Sequence, residues 1–123
     1  MLNLDTHIVV KSLVGELTPH EATLIAGEEC GICPIVMWEI EMLAERARID
    51  VDLDHPLMAE ALRRLRIWPL TAEVCRAVRR LDFASDPADQ LIAATSLAHN
   101  VPLLTRDRRI LASKVVPLAR NNR

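Results

Sequence analysis

The stretch Asp86-Pro87-Ala88-Asp89-Gln90-Leu91-Ile92-Ala93-Ala94-Thr95-Ser96-Leu97-Ala98-His99-Asn100-Val101-Pro102-Leu103-Leu104-Thr105-Arg106-Asp107 holds a complete helix-to-strand transition. Asp86 before Pro87 supplies a capping side chain and then a proline at the first helical position, where its missing N–H costs nothing. His99 sets an imidazole near the negative end of the helix, and Asn100 tolerates the left-handed geometry that ends one. A helix over residues 87–99 is therefore predicted, followed by a strand over 101–105. Thirteen helical residues joined to so short an apolar run form the repeating unit of a parallel sheet with crossover helices.

The same alternation extends in both directions. Further strands are predicted at 2–4, 30–33, 67–70 and 115–118, and helices at 7–13, 19–28, 35–48, 56–65 and 72–81. Thr18 before Pro19 and Thr71 before Ala72 repeat the capping signal. An α/β fold on a short parallel sheet follows. At 123 residues and 50% hydrophobic side chains, the chain fits one domain, residues 1–123, with a core that needs no disulfides. No repeat, linker or low-complexity stretch interrupts it.

Composition narrows the function classes. No uncharged apolar run reaches the roughly 18 residues of a membrane span, and the amino terminus carries no basic leader, so a cytoplasmic protein with no membrane association is expected. Three cysteines, an odd number without a secretion signal, point to reduced thiols. Cys30 and Cys33 lie three apart on a predicted strand and so face opposite ways, which disfavours a redox pair; a closed zinc site lacks further ligands. With two Trp, one Phe and no Tyr, a bound nucleic acid could not rely much on aromatic stacking. Net charge is −2, yet residues 1–60 carry 3 basic and 12 acidic side chains and residues 61–123 carry 12 and 5. The fold can thus set an acidic centre beside basic surface, although helix faces such as Arg63, Arg64, Arg66 and Arg76, Arg79, Arg80 also read as solvated.

Four carboxylates occupy informative places. Asp5 follows the first apolar run and Asp107 follows Leu103-Leu104, so both fall near carboxyl ends of predicted strands, where open α/β sheets hold ligands. Either could equally be a turn or cap residue. In the 35–48 helix, Val36, Ile40, Leu43 and Ala47 define the buried stripe, and Glu39 lies roughly 60° from its centre. A carboxylate so placed needs a partner or a metal, unless it escapes to water or pairs with Arg46. Asp86 is explained by capping. Asp89 fits an acidic third position, but Ala93 and Ser96 on its face are small enough to leave room for an ion or substrate. All four are hard oxygen donors, so Mg²⁺ or Mn²⁺ is the expected ion and zinc is not. Arg106, Arg108 and Arg109 are candidates for phosphate contact, and His7, His20 and His55 are scattered without an evident role.

Taken together, Leu4-Asp5-Thr6-His7, Pro34-Ile35-Val36-Met37-Trp38-Glu39-Ile40, Asp86-Pro87-Ala88-Asp89-Gln90-Leu91-Ile92-Ala93-Ala94-Thr95 and Leu104-Thr105-Arg106-Asp107 resemble the PIN-domain family, specifically VapC-like toxins of toxin–antitoxin pairs. The likeness runs from about residue 2 to 118 in the family's order and spacing. It implies a three-layer α/β/α sandwich, Asp5, Glu39, Asp89 and Asp107 as the catalytic and metal-binding set, and Mg²⁺-dependent endoribonuclease activity. It also implies an RNA substrate, a homodimer and a cognate antitoxin. Cys33 stands where relatives often have Ser, and Gln90 where they often have a basic residue, which touches substrate contacts and not the four acids. A non-catalytic PIN-fold binding or interaction protein is the alternative. An aspartyl-phosphate phosphatase would need a second Asp two residues after Asp5, and His7 stands there.

Overall fold

The structure is a computed structural model and describes residues 1–120. A four-stranded parallel sheet, in the order β3-β2-β1-β4, is flanked by helices. The strands are β1 (Leu2–Leu4), β2 (Cys30–Ile32), β3 (Arg66–Ile67) and β4 (Leu103–Leu104). The helices are α1 (Thr6–Leu13), α2 (Pro19–Ala26), α3 (Ile35–Glu45), α4 (Pro56–Arg64), α5 (Ala72–Ala77) with a 3₁₀ turn at Val78–Arg80, α6 (Pro87–His99) and α7 (Arg108–Leu111). From β1 the chain steps outward through β2 to β3 and then returns to place β4 on the other side of β1. Strand order therefore reverses between β1 and β4, and the crevice beyond their carboxyl ends is where such a sheet leaves room for chemistry.

The capping signals act as the sequence suggests. Thr18 and Glu21 form a reciprocal capping box on α2, Thr71 caps α5, and Asp86 caps α6 with Pro87 at its start. Asn100 ends α6 at φ 53°. Several expected bounds change for identifiable reasons. The 35–48 helix stops at Glu45, because Ala47 turns left-handed at φ 55° and the N–H groups of Ala47 and Arg48 bond back to Ala44 and Leu43. That is a Schellman ending without its usual glycine. Ala47 is consequently exposed, while Val36 and Ile40 of the same expected stripe are fully buried. The expected strand at 67–70 becomes Arg66–Ile67, cut short before Pro69. The one expected at 115–118 reduces to a single parallel bridge, Leu103 to Leu118, beside Pro117, which has no N–H to give. The 72–81 helix tightens after Ala77 into a 3₁₀ turn, and α7 was not anticipated at all.

The main core joins Leu2, Leu4, Ile8, Ile32, Val36, Ile40, Met58, Ile92, Leu103 and Ile110 across the sheet and its helices. Asn3 is a polar residue fully buried in the central strand. Its amide donates to the Ile92 carbonyl at 3.1 Å and to the Ser96 hydroxyl at 2.9 Å, which pins α6 across β1. At Gly31 a Cβ would lie 2.8 Å from both the Arg66 carbonyl and the Trp68 ring, so only glycine lets β3 and its following residue close on β2. No helix among the described residues is long and apolar enough to cross a membrane.

Candidate metal centre

Asp5 leaves β1 at the point where strand order reverses. Its N–H donates to the Leu104 carbonyl at 3.1 Å, which extends the β1–β4 pairing by one residue and fixes where the side chain begins. The carboxylate is 5% exposed; Oδ1 accepts the Thr6 N–H at 2.8 Å and Oδ2 the Thr105 hydroxyl at 2.6 Å. Thr105 Oγ1 in turn accepts the Asp107 N–H at 3.0 Å. Asp107 then caps α7, with Oδ1 accepting N–H groups from Arg109 at 2.8 Å and Ile110 at 3.3 Å. Both aspartates are thus cap residues at strand-to-helix junctions, and capping is what aims them at the crevice.

On the neighbouring helices, the Thr6 hydroxyl donates to Glu39 Oε1, and the Ser85 hydroxyl to Asp89 Oδ2 at 2.7 Å. Asp86 Oδ1 accepts the Asp89 N–H at 3.0 Å. Glu39, Asp86 and Asp89 each bring an oxygen within 4.8 Å of the other two. Asp5 and Asp107 lie outside that trio and share a cavity of about 240 Å³ with His7, Lys11 and Arg106.

Electrostatics ties the two groups together. Burial pushes the Asp5 carboxyl above its ordinary range, against the stabilising Thr105 and Thr6 donors, and the Asp107 charge pushes the same way. Glu39 is raised by burial and then by the charges of Asp5, Asp89 and Asp86. Asp89 is raised by burial and then by Asp86, Asp5 and Asp107. Among the described residues none of these five acids has a Lys, Arg or amino-terminal partner within 4.0 Å; the ion pairs lie elsewhere. Five carboxylates, each supplied with neutral hydroxyl or amide donors and none in an ion pair with Lys or Arg among the described residues, suit a hard divalent ion.

The structure therefore brings Glu39 and Asp89 into one trio and sets Asp5 and Asp107 around a shared threonine. Three expectations change. Asp86, which capping explains and whose part in the site the sequence leaves open, caps α6 and belongs to the trio as well. Ala93 and Ser96 leave no open room: both are fully buried, Ser96 against Asn3 and Ala93 in the core. Arg106 is exposed but already engaged within the fold. Its Nε and Nη2 clamp the Glu21 carboxylate at 2.8 and 2.7 Å, which holds that carboxyl down at about 2. Arg109 donates to the Ala84 carbonyl at 3.1 Å, and Arg108 is exposed. Glu39 accepts from Thr6 and makes no ion pair with Arg46. The hydroxyls of Thr6, Ser85 and Thr105 escaped sequence reasoning, although each stands one or two residues from an acid in the chain. Burial raises the Cys30 and Cys33 thiols, which makes both poor nucleophiles.

Comparison with known proteins agrees with this fold. Residues 3–115 match the family described as PIN domain. Ribonuclease VapC22 of Mycobacterium tuberculosis is 35% identical over 87 residues, 68% of this chain and 66% of that protein, so the match spans just under two thirds of the relative. Among solved structures, a chain of VapBC2 from Rickettsia felis, crystallised with a promoter DNA fragment, superposes with a TM-score of 0.75 at 20% identity, covering 97% of this chain and 98% of that one. DNA-bound VapBC from Salmonella typhimurium gives 0.72 at 16% identity over 96% of each chain. A toxin–antitoxin complex from Klebsiella pneumoniae gives 0.67 at 16% over 91% of each. At these identities the superpositions carry the fold, and the family match carries the membership: this chain belongs to the PIN-domain family, with VapC-like proteins as its relatives.

Proposed function

We propose that this chain is a divalent-cation-dependent endoribonuclease, the toxin of a VapBC-type toxin–antitoxin pair. The observation that carries the reading is the trio of Glu39, Asp86 and Asp89, with Asp5 and Asp107 beside it at the reversal of strand order, and with no Lys or Arg within 4.0 Å of any of the five among the described residues. A ribonuclease among the relatives and toxin–antitoxin complexes among the fold neighbours support the same reading.

Asp5 and Asp107 serve as the main ligands of a Mg²⁺ ion, for which Mn²⁺ can substitute, with Glu39 and Asp89 completing the set or orienting water. Asp86 joins them by proximity. A bound divalent ion would lower the pKa of a water and neutralise the phosphate, the two services phosphodiester hydrolysis demands. The protein's own part is to hold oxygens ready. Thr105 fixes one Asp5 oxygen and the Asp107 backbone together, Thr6 restrains Glu39, and Ser85 restrains Asp89, so the carboxylates need little reorganisation on loading. A cognate antitoxin and a second copy of the chain are the expected partners.

Asp5→Asn removes a charge and keeps an oxygen to accept the Thr6 N–H, while its amide NH2 stands in place of Oδ2 and can donate to the Thr105 hydroxyl oxygen. It is expected to fold normally and to lose Mg²⁺-dependent RNA cleavage by 100-fold or more. Undiminished cleavage by that variant, purified free of other nucleases, overturns the proposal.

A further inference from the structure

A groove of about 390 Å³ opens directly beside the acid trio, between α3 and the start of α6. Glu39 and Asp86 belong to both, so the groove and the candidate ion site share a wall. Its other principal residues are Trp38 and Met42, four apart on α3, and Arg46 at the cap that ends it, with Pro87 opposite. Trp38 is 55% exposed, although the chain has only two tryptophans. The other, Trp68, is 6% exposed and stacks on His99 with ring centroids 5.7 Å apart. Trp68 is thus consumed by the fold, whereas Trp38 lines the groove and stays exposed.

The occupant must offer a flat face to Trp38 and Met42, and it must adjoin a group that sits at the acids. An unpaired nucleobase meets both conditions, since its attached phosphate would lie where Glu39 and Asp86 meet the groove. Stacking on a tryptophan face is sequence-tolerant, the Met42 thioether packs well against a ring, and the Arg46 guanidinium can meet the next phosphate or a base edge. A base inside a duplex has both faces covered and could not enter.

We propose that this groove is a nucleobase subsite, in which Trp38 stacks one unpaired base of a single-stranded RNA and Arg46 steadies the strand beyond it. The inference rests on the nuclease reading for its choice of strand and refines it by naming a single-stranded substrate. Low aromatic content excludes a multi-residue platform, and one exposed tryptophan beside the acids supplies a single stacking position.

The test is a binding titration of the whole chain with a short single-stranded RNA, with Ca²⁺ in place of Mg²⁺ so that binding is read without turnover. Saturation is expected to quench tryptophan emission in the wild type. Trp38→Ala should weaken affinity about 10-fold or more. Trp38→Phe should recover all but a few-fold of it with no quench, because only the buried Trp68 then emits. One abasic position in the strand should weaken the wild type and leave Trp38→Ala unaffected. Unchanged affinity in Trp38→Ala, RNA binding without quench, or no RNA binding by the wild type overturns the subsite. So does a Trp38→Ala chain that changes oligomeric state while keeping its RNA affinity, which assigns the groove to a protein contact. Quench with no Mg²⁺-dependent cleavage in a parallel assay overturns the nuclease reading and leaves the subsite standing.

Discussion

Replacing Glu39 with Gln should make the metal-free protein more stable. Glu39 has a carboxyl raised by burial and by the charges of Asp5, Asp89 and Asp86, and one of its oxygens lies within 4.8 Å of oxygens of Asp86 and Asp89. Two like charges that far apart repel by about 1 kcal/mol in water and about 3 kcal/mol at the effective dielectric of a protein surface. Glu39 is only half-buried, so the lower figure applies. Gln keeps the shape, and its Oε1 can still accept the Thr6 hydroxyl. The expected gain is about 1 kcal/mol, or about 4 °C in Tm for a chain of this length. The pH dependence follows from the direction of the shift. A carboxyl whose folded pKa is raised contributes stability fully below its unfolded value and loses it as pH rises through the folded value. The advantage of Glu39→Gln should therefore be present at pH 7.5 in EDTA and vanish near pH 4. With Mn²⁺ at 100 times its Kd, the wild type should gain about 2.7 kcal/mol, about 10 °C, and the variant less. Scanning calorimetry at the two pH values decides it. A Glu39→Gln protein less stable than wild type at both would refute the reasoning, because Glu39 would then be a structural acceptor rather than a strained ligand.

Other consequences are open to the same methods. Glu21→Gln loses a charge-assisted clamp from Arg106, partly screened because Arg106 is 40% exposed; a cost of about 1–2 kcal/mol at pH 7 is expected in urea unfolding. Because the Glu21 carboxyl is held at about 2, that difference should persist above pH 4.5 and shrink as pH falls toward 2; a pH-independent difference would count against the ion pair. Gly31→Ala sets a Cβ 2.8 Å from the Arg66 carbonyl, a backbone atom that cannot swing aside, and should cost about 1–3 kcal/mol in thermal unfolding. Asn3→Ala removes both bonds that pin α6, and should cost about 1–3 kcal/mol while lowering hydrogen-exchange protection at the amides of α6; unchanged protection would argue against the pin.

The sequence disclosed those parts of the molecule that rest on local chemistry. Thr18-Pro19, Thr71 and Asp86-Pro87 announce helix starts because a cap and a proline act on their own backbone, and Asn100 announces an end for the same reason. The end of α3 was illegible because Ala47 does what glycine or asparagine usually signals. The short strands are bounded by pairing with neighbours and by Pro69 and Pro117, neither of which alone fixes a register. In the site, Asp5 and Asp107 could be placed at strand ends by counting. That Thr105 would join them across 100 residues, or that Asp86 would serve both a helix cap and the acid trio, depends on how β1, β4 and α6 pack. The pairing of Arg106 was illegible because Thr105 and Asp107 flank it in the chain, whereas its partner Glu21 lies 85 residues away.

The central claim is that these carboxylates share a cation. Crystals grown with millimolar Mn²⁺ at neutral pH and measured at the manganese absorption edge test it without reference to any substrate. The account predicts an anomalous peak at the reversal between β1 and β4, within about 2.0–2.3 Å of carboxylate oxygens drawn from Asp5, Glu39, Asp89 and Asp107. Diffraction showing these acids well ordered and no manganese among them would contradict it.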